Sequence, residues 1–118
     1  MKFFAATAAI VGLASAATVS KATLRDNNGL QAVTLTIDGV QCSATSPAAL
    51  GSRQIACPGS AYSWHVTGSV GDYELTLFKG VVTDSPQAYA KLPTHCSAGG
   101  AGPNDMVCDQ NNDITIDI

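Results

Sequence analysis

The chain has 118 residues, and its six Lys and Arg stand against nine Asp and Glu, for a net charge of −3. With scattered cations it has neither the basic footprint of a nucleic-acid binder nor a polybasic patch for anionic membranes. Four cysteines in a chain this short raise the question of compartment.

The N-terminus reads as a secretory signal. Met1-Lys2 is a short basic start, Phe3 to Leu13 (FFAATAAIVGL) is an uncharged apolar run, and Ala14-Ser15-Ala16 is a small-x-small cleavage pattern. The run is shorter than the roughly 20 residues a spanning helix needs. The expected organisation is a signal peptide over 1–16 and one soluble, extracellular domain over 17–118. Cleavage removes Lys2 and leaves a charge of −4, and no Asn-x-Ser/Thr sequon occurs for N-glycosylation.

From there the pattern is period two, the signature of half-buried strands. An early strand is expected around Val19–Leu24. Val33, Leu35 and Ile37 alternate with Thr34, Thr36 and Asp38, and Asp38-Gly39 is a turn signal before Val40–Cys42. Residues 45–53 (TSPAALGSR) read as a loop, Ile55–Cys57 as a short return strand, and Pro58-Gly59 as the next turn. Tyr62, Trp64 and Val66 share one face of a strand whose other face carries Ser63, His65 and Thr67. Gly68 to Asp72 is a turn region. Tyr73, Leu75 and Leu77 then alternate with Glu74, Thr76 and Phe78, and Val81-Val82 extends this strand or starts another. Asp84-Ser85-Pro86 breaks the pattern, and Gln87–Leu92 forms a strand ended by Pro93. Ile114, Ile116 and Ile118 mark the last one. Seven or eight short strands predict an all-β fold, a compact antiparallel barrel or sandwich.

Cys42, Cys57, Cys96 and Cys108 are an even set in an exported chain, which predicts two disulfides in one of three pairings. Their spacing does not suit structural zinc. The sequence-local pairing, Cys42 with Cys57 and Cys96 with Cys108, is preferred. Each short loop closed this way is worth roughly 3 kcal/mol in the chain-entropy account.

Several stretches invite a chemical reading. Gly99-Gly100-Ala101-Gly102-Pro103 is glycine-rich but has neither GxGxxG spacing nor a following Gly-Lys-Ser/Thr, and Pro103 lacks an N–H, so it does not read as a phosphate cradle. It reads as a loop closed by the cysteines at its ends, with Gly99, Gly100 and Gly102 as candidate partner contacts. Asp109, Asn111 and Asp113 fit the first positions of a calcium loop, but Ile114 stands where glycine is required, so a polar turn is the better reading and no metal or cofactor is expected. Asp72 and Glu74 share a strand face as a carboxylate pair, with His65 and His95 the only histidines. No GxSxG, SxxK or HExxH motif supports a hydrolase. Tyr62 and Trp64 are candidate ligand or partner contacts, with core packing as the competing reading.

The segment Ala90–Cys108, AKLPTHCSAGGAGPNDMVC, carries Leu92, Pro93, Cys96, Gly99, Gly100, Gly102, Pro103, Asp105 and Cys108 in a spacing that resembles the hallmark of the Alternaria major allergen family. Cys42 and Cys57 resemble its other cysteine pair, and the likeness extends over about residues 30–118. The resemblance implies an exported antiparallel β-barrel of fungal origin, with intrachain bridges Cys42–Cys57 and Cys96–Cys108. It further implies a non-enzymatic protein that elicits or meets host, chiefly plant, defence. Thaumatin-like defence proteins are the implied partners and small phenolic compounds, such as flavonoids, the implied alternative ligand. Family members often carry a further cysteine near the mature N-terminus that joins two chains. This chain has none before Cys42, which argues against a disulfide-linked dimer. Residues Ala17–Leu30 are shorter than the family's N-terminal region, so one or two strands are expected to be missing.

Overall fold

The computed structural model describes residues 16–80 and 86–118. The signal-peptide expectation, apart from Ala16, and the Val81-Val82 strand fall outside the described residues. Among those described are ten strands and one short helix: β1 (Ala16–Asn27), β2 (Leu30–Ile37), β3 (Val40–Ala44), α1 (Pro47–Leu50), β4 (Ile55–Ala56), β5 (Tyr62–Ser69), β6 (Asp72–Lys79), β7 (Gln87–Leu92), β8 (Thr94–Ala98), β9 (Asp105–Gln110) and β10 (Ile114–Asp117). No described helix is long and apolar enough to cross a membrane.

Two antiparallel sheets face each other. One runs β3-β2-β1-β9-β8, with β10 pairing the other half of the β1 edge, and the second runs β4-β5-β6-β7. This is the all-β architecture that the alternation predicted. The core lies between the sheets. Val33, Leu35 and Ile37 point inward from β2, while Trp64 and Val66 from β5 and Tyr73, Leu75 and Leu77 from β6 meet them from the other side.

β1 is the spine of the larger sheet, and a phase slip runs through its middle. Ala17 and Val19 are buried, then Ala22, Leu24 and Asp26, so the inward set shifts by one residue at Ser20-Lys21. A strand normally cannot do this without turning its apolar side to water, because side chains alternate with a period of two. A bulge solves it: the β1–β2 register shifts between Ser20 and Thr23, and Lys21 takes a positive φ of 55°. The slip also divides the outer edge of β1. Residues 23–27 pair with β9 and residues 16–19 pair with β10. Between them the side chain of Gln110 replaces a strand. Its amide donates to the Val19 carbonyl at 2.9 Å, and its Oε1 accepts from Ala22 N–H at 3.0 Å. The segment expected to lack a strand or two is thus one strand of 12 residues.

Two local expectations are corrected. Residues 45–53 are not wholly loop, since Ser46 caps a single helical turn by accepting from Ala49 N–H at 3.1 Å, with Pro47 following it. Nor is the stretch between Cys96 and Cys108 a long loop. It is the hairpin of β8 and β9, with Cys96 directly opposite Cys108, and only 99–104 form the tip. The missed strands lack apolar alternation because β8 is a marginal strand, exposed at His95, Ser97 and Ala98.

The structure joins Cys42 to Cys57 and Cys96 to Cys108, leaving no free thiol. The first bridge does more than close a loop. Cys42 lies in β3 of the larger sheet, and Cys57 directly follows β4 of the smaller, so it ties the two sheets together.

Candidate functional site

The candidate residues do not gather in one place. Trp64 is fully buried and Tyr62 nearly so, both within the core between the sheets. They are packing residues here, and neither lines the cleft described below. The Trp64 indole N–H is buried without a hydrogen-bond partner.

Asp72, Glu74 and His65 lie on the outer face of the second sheet. Asp72 pairs with Lys91 at 2.8 Å, and both side chains are largely exposed. Such a pair contributes little to stability. His65 places Nδ1 2.9 Å from the Ser52 carbonyl oxygen. His95 sits on the other sheet, in β8, exposed and opposite Asp109. Among the described residues no base is held against a nucleophile or a second acid, which an acid–base or nucleophilic site requires. Among the described residues no cluster of His, Cys, Asp and Glu could hold a metal, and Asp109 instead accepts from the Thr23 hydroxyl at 3.0 Å.

The glycine-rich tip has a clear internal logic, and its centre is Asp105, a residue not singled out as a site from sequence. Asp105 is 2 % exposed. Arg25, on the neighbouring strand β1, donates Nε to Oδ1 at 3.1 Å and Nη2 to Oδ2 at 2.7 Å. The tip curls back so that Ala101 N–H donates to Oδ2 at 2.9 Å and Gly99 N–H donates to the Asp105 carbonyl at 2.7 Å. The Arg25 hydrogen bonds, reinforced by that from Ala101, hold the Asp105 carboxyl below the usual carboxylate range. Gly99 must be glycine because a Cβ there would overlap the Asp105 carboxylate. Gly100 and Gly102 take positive φ values of 96° and 114°, with open space where a Cβ would sit. The first glycine meets a steric demand and the other two a conformational one.

Three hairpin tips converge at one end of the sandwich around a cleft of about 540 Å³. Asn28 and Gly29 come from the β1–β2 turn, where both residues have positive φ. Gly68, Ser69 and Val70 come from the β5–β6 tip, and Pro103 and Asn104 from the β8–β9 tip. Met106 and Asp26, opposite each other in the β9–β1 ladder, complete the wall. Asp26 is 5 % exposed; it accepts Gly29 N–H at 2.9 Å on Oδ1 and Tyr73 O–H at 2.7 Å on Oδ2. Burial first, and the Asp26 contact second, push the Tyr73 phenol well above its ordinary value. Nothing in the sequence marks this cleft, since its three tips are far apart along the chain.

The sequence model of the family described as Alternaria alternata allergen 1 matches residues 28–108. Two crystal structures of the Alternaria alternata major allergen Alt a 1 are similar to this chain. One is 26 % identical with a TM-score of 0.65, covering 87 % of this chain and 92 % of the allergen chain. The other is 24 % identical with a TM-score of 0.68, covering 87 % of each. No curated protein matches the chain.

Proposed function

Because the chain belongs to the Alternaria alternata allergen 1 family, we propose that it is a secreted, non-enzymatic effector or elicitor that acts by binding host proteins, chiefly in plant defence. The observation that carries this reading is the arrangement of the molecule's ends and faces. Three hairpin tips converge around one cleft, two of them tied back by backbone N–H groups that donate to Asp26 and Asp105, while the acids and histidines eligible for catalysis among the described residues are dispersed. A surface built this way is ordered before it meets a partner, which lowers the entropic cost of binding. Two disulfides and the N-terminal apolar run support export. Thaumatin-like defence proteins are the partners this reading favours. The carrier reading drew on Tyr62 and Trp64, and their place in the core leaves it without a favouring observation.

The test is infiltration of oxidised protein into leaf tissue beside a heat-denatured, reduced control. A defence response to the folded protein alone is expected. Equal responses to both samples, or none to either, would sink the elicitor reading.

A further inference from the structure

Asp26 presents an electrostatic imbalance. Its carboxylate is almost wholly buried, yet its two hydrogen-bond donors, Gly29 N–H and Tyr73 O–H, are both neutral. No Lys, Arg or His nitrogen of the described residues comes within 4.0 Å of it; the adjacent Arg25 is engaged by Asp105 on the opposite face of β1. Buried carboxylates are seldom left without a cation, because desolvating the charge is costly. This one borders a cleft of about 540 Å³, within the range of small-ligand sites. No residue lining that cleft is cationic, and Asp26 is its only charged one. A carboxylate has about four acceptor positions, and two here are free.

The rest of the cleft narrows the kind of cation. Val70, Pro103 and Met106 give it apolar wall, and Val70 is 41 % exposed, one of two large apolar side chains so exposed among the described residues. Asn28, Ser69 and Asn104 supply neutral hydrogen-bonding groups. A hard metal ion prefers several anionic oxygens and no alkyl surface. An ammonium group on a short alkyl stem needs one acceptor cluster and an apolar flank, and this cleft offers both.

We propose that the cleft between the three hairpin tips binds an aliphatic ammonium group, with Asp26 as its counter-charge and Val70, Pro103 and Met106 against its stem. The group is a free alkylamine or a lysine side chain presented by a partner. This goes beyond the host-binding reading and stands without it.

The experiment is a ¹H–¹⁵N correlation titration of the oxidised protein with n-butylamine, N-acetyl-lysine methylamide, 1-butanol and calcium chloride, at equal ionic strength and pH. Both amines are expected to shift the amides of Asn28, Gly29, Ser69, Val70 and Asn104. The dissociation constant should lie at least about tenfold below that for 1-butanol, as one charge-assisted hydrogen bond warrants. The tighter of the two amines identifies the source. Asp26→Asn should weaken amine binding by about tenfold or more. Because that variant also disturbs Tyr73, Val70→Ser at the exposed tip is the second probe, and it should weaken amine binding while leaving the melting temperature unchanged. Equal response to butylamine and butanol, shifts with calcium alone, or amine shifts that do not involve these three tips would overturn the proposal.

Discussion

At the scale of single residues, Asp105 explains the spacing of the glycine-rich stretch better than the glycines do. It takes a two-point contact from Arg25, it anchors the returning tip through Ala101, and its bulk dictates glycine at position 99. Gly99→Ala should therefore destabilise the protein by about 1–3 kcal/mol, the usual cost of forcing atoms into a filled site. Chemical denaturation will read it. Asp105 also gives the fold an acid limit. Its carboxyl is held below its ordinary value of 3.8, so its contribution is complete above that value and is lost as pH falls through the lowered one. Urea midpoints taken from pH 6 down to pH 2 should fall in that window, and Asp105→Asn should flatten the fall. At the other extreme, the Tyr73 phenol is raised above its ordinary 10.0, so its stabilising effect is full below pH 10 and declines as pH climbs beyond it. Absorbance at 295 nm should show one of the three tyrosines ionising only together with unfolding.

At the scale of elements, β1 shows where reading by alternation succeeds and where it stops. Most strands were legible because one face is buried, and a period of two is what burial imposes on a strand. The strand expected around Val19–Leu24 spans the bulge but stops short of both ends of β1, at Ala16–Thr18 and Arg25–Asn27, because the change of phase at Ser20-Lys21 breaks the alternation that would have extended it. The Ala17, Val19 and then Ala22, Leu24 spacing is the signal that could have revealed it. β8 was illegible for another reason: a marginal strand with an open face has no alternation to offer. Lys21 sits at the bulge with positive φ, a conformation that costs a non-glycine residue about 1–2 kcal/mol. Lys21→Gly should raise stability by up to about 1 kcal/mol, once the greater freedom of glycine in the unfolded chain is deducted. Gln110→Leu should act the opposite way, by roughly 1–3 kcal/mol, because Ala22 N–H and Val19 C=O lose their partner. Thermal melts of both variants against the parent will check the pair of signs.

At the scale of the whole molecule, the two bridges have different duties. Cys96–Cys108 joins strands already paired in one ladder, whereas Cys42–Cys57 joins the sheets. That difference lies in the tertiary arrangement and could not be read from cysteine spacing. The same holds for the cleft, which exists only because three turns meet at one end. Sequence pointed instead to Tyr62 and Trp64, whose aromatic bulk is what the core between two sheets consumes. What the sequence did carry plainly was the family, through the spacing of Cys96, Gly99, Gly100, Gly102, Pro103, Asp105 and Cys108, and the family match spans residues 28–108.

If this double-stapled sandwich works outside the cell by binding a host defence protein, as proposed, the folded protein should capture one from the host's extracellular fluid. The most direct measurement is a pull-down from leaf apoplastic fluid on immobilised oxidised protein, with a reduced and heat-denatured column alongside, read by mass spectrometry. A defence protein of the thaumatin-like type should be retained by the folded column alone. Retention of the same proteins by both columns, or of no defence protein by the folded one, would contradict it.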